Sequence, residues 1–134
     1  MSLVLDCSIV AAAGTPQDKD HVSCTRLLRE SREQRVVPGP VLVEVDYLLQ
    51  SGPTWMALLH DIAQGSLRVV DLELADYERI HELMTTYADL RVGFVDCAVL
   101  AVVERLGEPK LATLDRRHFS VMRPAHIDSL RLLP

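Results

Sequence analysis

The run from Gly93 to Gly107 most constrains how this chain can fold, because it is apolar except for one acid in its first turn and a charged pair near its end. At about 100° per residue, Asp96 falls on the same helical arc as Val99 and Leu100. A carboxylate among large aliphatic side chains is rarely buried unless it is paired or holds a metal ion, since its desolvation costs several kcal/mol. The rest of the fold must therefore supply a partner for Asp96.

Length and composition predict one globular domain spanning residues 1–134, because 49% apolar content is enough for one core. No apolar run approaches the roughly 18 to 20 residues that cross a bilayer, and we expect a cytoplasmic protein. The three cysteines have no CxxC spacing, which predicts neither a disulfide framework nor a zinc site. We expect Cys7 to point away from Asp6, and both Cys7 and Cys97 to pack in the core.

Short apolar runs alternate with helical patterns along the chain. The runs predict strands at 3–5, 36–37, 67–72, 110–114 and 129–133, and the helical patterns fall at 8–13, 18–34, 41–50, 53–64, 73–87 and 94–106. In the helix over 18–34, Val22, Leu27 and Leu28 should face inward, and its arginines indicate a solvated face. The alternation predicts an α/β domain with a mainly parallel central sheet flanked by helices.

Four acids interrupt apolar surroundings. Asp6 and Asp115 each follow a predicted strand, and ligand sites in parallel sheets lie beyond the carboxyl ends of the strands. Asp96 lies near a helix N-terminus, which opens on the same edge, and Glu44 interrupts the apolar face of the helix over 41–50. Taken singly, the three aspartates are equally well explained as helix caps or partners of a helix dipole, and Glu44 as a surface side chain.

If the four acids lie close together in the fold, a separate structural role for each one no longer explains them. One pair of carboxylates about 4 Å apart repels by about 4 kcal/mol at an effective dielectric of about 20, so a cation is required. Oxygen ligands without cysteine suit Mg²⁺ or Mn²⁺, ions that also serve phosphodiester chemistry. The formal charge of −5 argues against a nucleic-acid partner unless the acids are concentrated in such a metal site.

The stretches LVLDCS, PGPVLVEVDYLL, GFVDCAVLAVVERLG and LATLDRRHF carry these acids in order. They resemble the four acidic motifs of the PIN-domain ribonucleases, specifically the VapC toxins of VapBC toxin–antitoxin modules, over essentially the full chain. The resemblance implies that Asp6, Glu44, Asp96 and Asp115 form the catalytic, metal-binding site with one or two Mg²⁺ or Mn²⁺ ions. It also implies endonuclease cleavage of structured RNA, a homodimer, and a VapB-type antitoxin whose C-terminal segment covers the acidic cleft.

Residues near these motifs are further candidates. Ser8 and Thr113 match the family's hydroxyl positions, which the resemblance implies orient the carboxylates. Many relatives have a further acid two residues after the last aspartate, where this chain has Arg117, so the number of ions stays open and Asp89 is a possible substitute. Arg116, Arg117 and His118 are candidate RNA contacts, with His118 interpreted as a surface residue.

A second hypothesis comes from a different class of protein. The chain could be a catalytically silent PIN-like binding module whose acidic cleft holds an arginine-bearing partner peptide. A phosphoryl-transfer or receiver-type domain is less favoured, because such domains have paired acids near the first strand, where this chain has Asp6-Cys7-Ser8. Cleavage of RNA by the purified protein separates the nuclease from the binding module.

Overall fold

The computed structural model describes residues 1–134, in which short parallel strands alternate with helices, and the predicted α/β class is confirmed. The strands are β1 (Ser2–Val4), β2 (Gln34–Pro38), β3 (Arg68–Val70), β4 (Lys110–Ala112) and β5 (Arg131–Leu133). The helices are α1 (Cys7–Ala13), α2 (His21–Glu30), α3 (Gly39–Leu48), α4 (Pro53–Ala63), α5 (Leu74–Thr86), α6 (Phe94–Leu106) and α7 (Arg116–Phe119), with a 3₁₀ turn at Ala88–Leu90.

All strand pairs are parallel, and the order of the strands reverses direction between β1 and β4. β1 pairs with β2 and β2 with β3, while β4 pairs with β5. A single parallel bridge between Leu5 and Ala112 joins the two groups, and the N–H of Asp6 donates to the carbonyl of Ala112 at 3.0 Å. The resulting order is β3-β2-β1-β4-β5, so the chain winds away from β1 in two directions. The carboxyl ends of β1 and β4 flank the crevice where such folds bind ligands.

The core is centred on α6, which packs against α5, α3 and β2. Every residue from Cys97 to Val103 is at most 2% exposed, so this helix is buried on all sides through its middle. The helix ends at Gly107, whose left-handed conformation (φ 68°) suits a residue without a Cβ. The apolar run that dominates the sequence is therefore the central element of the fold.

The charged end of α6 is tied to α5 by ion pairs. Arg79 contacts Glu104 at 2.8 Å, and Arg105 contacts Asp76 at 3.0 Å. Asp76 is itself part of the capping box that begins α5 together with Glu73. These contacts allow a charged pair at the end of a buried helix, because each charge meets an opposite charge on the neighbouring helix.

The helix expected over 18–34 is shorter, and one of its proposed inward residues is wrong. α2 spans only His21–Glu30, and Val22 is 64% exposed, whereas Cys24 is fully buried. Residues 15–20 form turns instead of helix, in which the Asp18 carboxylate accepts the N–H of Asp20 at 2.8 Å. Side chains of this type compete with helix hydrogen bonds, and residues from Gln34 onward are taken up by β2.

None of the helices combines the length and the apolar character that crossing a bilayer requires.

We predict that Leu100→Ala lowers the free energy of unfolding by about 2 to 5 kcal/mol, because it leaves a cavity in the middle of α6, where Leu100 is fully buried. Leu74→Ala is the matched control, since Leu74 is 87% exposed on α5 and should change stability by less than about 0.5 kcal/mol. Urea denaturation of the two variants beside the wild type measures the difference. Equal effects of the two substitutions would contradict the central place of α6.

Candidate metal centre

The candidate site lies at the switch point between β1 and β4. Asp6 lies one residue beyond the bridge that joins these strands, Thr113 directly follows β4, and Asp115 lies two residues after Thr113. Asp96, in the first turn of α6, reaches the same place, because its carboxyl lies near enough to those of Asp6 and Asp115 for their charges to affect its pKa. Acids from three distant parts of the chain thus meet at one edge of the sheet.

Asp6 is the most buried of these acids, at 2% exposure. It is the N-cap of α1, where its side chain accepts the N–H of Cys7 at 2.8 Å. Its other oxygen accepts the hydroxyls of Thr113 at 2.8 Å and Ser8 at 3.2 Å. Burial raises the pKa of the Asp6 carboxyl, the three hydrogen bonds oppose that rise, and the nearby charge of Glu44 adds to it.

The hydroxyls of Ser8 and Thr113 also join the two strand ends. Ser8 Oγ accepts the N–H of Leu114 at 3.0 Å, and Thr113 Oγ1 accepts the N–H of Asp115 at 3.0 Å. Each hydroxyl therefore donates to Asp6 and accepts from the segment after β4. A substitution at either position would disturb both sides of the site, and Thr113 in particular is fully buried.

The pKa of the Asp96 carboxyl is raised in this cluster. Its side chain is 22% exposed, and burial is the largest cause that raises the pKa of its carboxyl. The charges of Asp6 and Asp115 raise the pKa further, whereas the hydrogen bond and charge of His118 lower it. The protein surroundings of Asp96 thus favour its protonated form more than bulk water does.

His118 lies between two of the acids, a position the sequence analysis did not anticipate. Its Nδ1 is 3.0 Å from Asp96 Oδ2 and 3.3 Å from Asp115 Oδ2, so the interpretation of His118 as a surface residue is wrong. Asp115 is the N-cap of α7 and accepts the backbone N–H of His118 at 3.2 Å. The sequence signal for this position was that His118 follows the capping Asp115 by three residues. This spacing places both side chains on one flank of a helix.

Glu44 and Cys7 contact each other next to Asp6. The Sγ of Cys7 donates to Glu44 Oε2 at 2.9 Å and also interacts with the Asp6 side chain, so the expectation that Cys7 points away from Asp6 is wrong. The physical reason is that α1 begins at Cys7 itself, so this residue is helical and not extended. Cys7 nevertheless packs against the hydrophobic core, as expected. Burial raises the pKa of the Cys7 thiol, with the charges of Asp6 and Glu44 adding to the rise. Cys7 thus serves as a thiol donor to Glu44.

The remaining candidates lie at or outside the edge of this cluster. Arg116 is exposed and donates to the carbonyl of Pro134 at 2.7 Å, and Arg117 is exposed without an ion pair or hydrogen bond from its side chain. Asp89 is exposed in the 3₁₀ turn, and its charge is not among those that shift the pKa of Asp96.

The donor set suits a hard divalent cation. One ligand atom from each of Asp96, Asp115 and His118 lies within 4.8 Å of the others. The buried Asp6 lies near Asp96, and the half-buried Glu44 lies near Asp6. Carboxylate oxygens dominate, no thiolate is present, and the single imidazole is compatible with Mn²⁺ as well as Mg²⁺. A cation here would offset the repulsion that raises the pKa of Asp96.

Comparison with known proteins agrees with this geometry. The family model described as the PIN domain matches residues 3–123. Ribonuclease VapC26 of Mycobacterium tuberculosis is 30% identical over 125 residues, which cover 91% of this chain and 93% of the relative.

Two solved structures share the fold. VapC20 of Mycobacterium tuberculosis, described as a sarcin-ricin loop cleaving toxin, superposes with a TM-score of 0.81 at 22% identity, covering 96% of this chain and 99% of its own. VapBC2 from Rickettsia felis, bound to a DNA fragment from its promoter, gives a TM-score of 0.67 at 18% identity, covering 98% of this chain and 97% of its own. The chain therefore belongs to the PIN-domain family and, within it, to the VapC group.

Proposed function

We propose that this chain is a Mg²⁺- or Mn²⁺-dependent endoribonuclease toxin that cleaves structured RNA and is neutralised by a VapB-type antitoxin. The observation that carries the proposal is the convergence of Asp6, Asp96 and Asp115 at the β1–β4 switch point, with Glu44 adjoining Asp6. Membership of the PIN-domain family and the ribonuclease name of VapC26 support the reaction class.

In this proposal Asp6, Glu44, Asp96 and Asp115 hold one or two ions. A bound divalent cation supplies a nucleophilic water at neutral pH and offsets the negative charge of the phosphodiester. Hydrolysis at that site would break the bond between phosphorus and the 3′ oxygen, which gives a 5′-phosphate on one product and a 3′-hydroxyl on the other, as the family resemblance implies.

The chain's own residues orient the site. Thr113 and Ser8 fix the Asp6 carboxylate through their hydroxyls, and the Cys7 thiol positions Glu44. The exposed Arg116 and Arg117, beside Asp115, are proposed to contact the phosphates of the RNA. His118 contacts the carboxylates of both Asp96 and Asp115, so we propose that it orients these two acids in addition to contacting RNA.

The proposed protein partners are an antitoxin and a second copy of the chain. The Rickettsia felis structure is of a VapBC complex, which supports an antitoxin partner here. Val43, Tyr47 and Leu48 leave large apolar surfaces exposed on α3, at 75%, 82% and 51%, which supports a face covered by protein.

One observation favours the alternative of a silent binding module. The imidazole of His118 already lies between Asp96 and Asp115, where an arginine from a partner peptide would find the same two carboxylates. Cleavage assays decide between the two functions, because only the nuclease requires a cation for turnover.

We predict that Asp96→Asn lowers the rate of Mg²⁺-dependent RNA cleavage by at least about 100-fold, because it removes a ligand charge from the site. Asp89→Asn is the matched control, since Asp89 is an exposed acid outside the cluster, and it should retain the wild-type rate. Cleavage of total RNA with and without EDTA gives the readout. Absence of cleavage by the wild type, or equal cleavage by the wild type and Asp96→Asn, would contradict the nuclease.

A second prediction concerns stability in EDTA. A carboxyl whose pKa is higher in the folded chain than in the unfolded one binds protons more tightly when folded, so folding stability falls as pH rises through that range. At neutral pH the loss of folding stability caused by this carboxylate is complete, so Asp96→Asn should raise the melting temperature by a few degrees. The gain should disappear as pH falls below about 4, the ordinary aspartate pKa.

Added Mg²⁺ supplies the internal control for that experiment. The cation offsets the repulsion in the wild type, so the gain of Asp96→Asn should shrink or reverse when Mg²⁺ replaces EDTA. Equal destabilisation by Asp96→Asn in both buffers, at every pH, would mean that Asp96 is an ordinary structural cap.

Thr113→Val should weaken Mn²⁺ binding by about 10- to 100-fold, because it removes the donor to Asp6 and the acceptor for the Asp115 N–H without changing side-chain volume much. Thr113→Ser retains the hydroxyl and should stay within a few-fold of the wild type. Isothermal titration calorimetry with Mn²⁺ measures both affinities independently of cleavage. The proposed orienting role is wrong if the valine and serine variants bind Mn²⁺ equally.

A further inference from the structure

We propose that a groove on the far flank of α7 binds the RNA backbone as it leaves the carboxylate site, an inference that rests on the proposed function. This arginine groove runs between α7 and the segment 120–132 and encloses about 700 Å³. Its polar lining consists of two arginines, two serines and one acid, namely Arg116, Arg123, Ser120, Ser129 and Asp128. It is separate from the acid cluster, since none of Asp6, Glu44, Asp96 or Asp115 lines it.

Positive charge is concentrated in the C-terminal segment that contains this groove, and the charged groove-lining residues are Arg116, Arg123 and Asp128. Residues 116–134 contain four arginines and one acid, a formal charge of +3, whereas the whole chain carries −5 and residues 1–115 therefore −8. The four arginines are Arg116, Arg117, Arg123 and Arg131, and the acid is Asp128. An acidic protein that approaches RNA needs a local basic surface, because phosphate contacts come from lysine and arginine.

Neither Arg116 nor Arg123 forms an ion pair with an acidic side chain. Arg116 donates only to the carbonyl of Pro134, and the guanidinium of Arg123 makes no ion pair or hydrogen bond. Arg79 and Arg105, by contrast, are each held by carboxylates between α5 and α6. The basic groups of the groove are therefore available to an anionic ligand, whereas those at the α5–α6 contact are structural.

The helix α7 connects the groove to the site. Asp115 and His118 contact each other on the flank that faces Asp96, and Arg116 and Ser120 line the groove. A helix with its side chains is only about 10 Å across, so an RNA strand that meets the acids can enter the groove within a few nucleotides. This adjacency favours an RNA backbone over an acidic peptide as the occupant.

The chemistry of the lining predicts sequence-independent contacts. Guanidinium groups and hydroxyls donate to phosphate oxygens, and Val121, which is 46% exposed, adds apolar surface that suits ribose or a base. If Arg116 and Arg123 each neutralise one phosphate of a single strand, their loss should reduce the slope of log affinity against log salt by about 1.4.

The test is an RNA-binding titration in the non-cleaving Asp96→Asn background. A fluorescein-labelled oligouridylate of about 12 nucleotides is titrated by anisotropy in EDTA at about 50 to 200 mM KCl. Arg116→Gln combined with Arg123→Gln should weaken binding by about tenfold at the lowest salt and reduce the salt slope by about 1.4. Arg26→Gln combined with Arg29→Gln is the matched control, because these exposed α2 arginines remove the same charge, and it should leave the slope unchanged.

The outcomes separate the groove from the proposed function. If the protein with Asp96 intact cleaves RNA but the groove variant keeps the affinity and slope of its background, the groove assignment is overturned and the nuclease stands. Equal losses of RNA affinity and salt slope in the groove and control variants would mean that only net charge matters, which also overturns the groove assignment. Binding of an oligoglutamate peptide but not of RNA would assign the groove to an acidic protein partner. Failure of the intact protein to cleave any RNA would count against the nuclease itself.

Discussion

The burial of the Asp6 carboxylate between the two central strands is the interaction on which the rest of the site depends. At 2% exposure this group remains tolerable only because the Cys7 N–H and the hydroxyls of Ser8 and Thr113 all donate to it. The same hydroxyls accept from the backbone after β4, so satisfying Asp6 also fixes where Asp115 begins α7. The site is therefore built from the hydrogen-bond requirements of one buried acid.

The central helix explains why further acids can be brought to that carboxylate. α6 is buried through its middle and tied to α5 at its C-terminal end by the Arg79–Glu104 and Arg105–Asp76 pairs. Such a rigid element holds Asp96 in its first turn close to Asp6 against their mutual repulsion, which raises the pKa of the Asp96 carboxyl. In the absence of a cation, His118 is the positively polarised group that offsets part of this repulsion. Packing energy far from the site thus maintains an electrostatically unfavourable cluster.

The sequence could predict the elements that carry the acids, but not all of their contacts. Apolar runs that end in Asp6 and Asp115, and helical periodicity around Asp96, are local patterns and were sufficient for the fold class. The position of His118 depends on a four-residue helix that Asp115 begins, and the contact of Cys7 with Glu44 depends on α1 beginning at residue 7. Both are matters of one or two residues at a boundary, where sequence patterns are least informative. The strand order likewise arises from long-range pairing that no local pattern specifies.

The central claim is that these carboxylates form a cation site, and direct counting of bound Mn²⁺ by electron paramagnetic resonance tests it most simply. We predict that the wild type binds one or two Mn²⁺ per chain, that Mg²⁺ competes with Mn²⁺ for these sites, and that Asp6→Asn abolishes or strongly weakens binding. Asp89→Asn, which changes an exposed acid outside the cluster, should bind like the wild type. Absence of Mn²⁺ binding by the wild type, or undiminished binding by Asp6→Asn, would contradict the account.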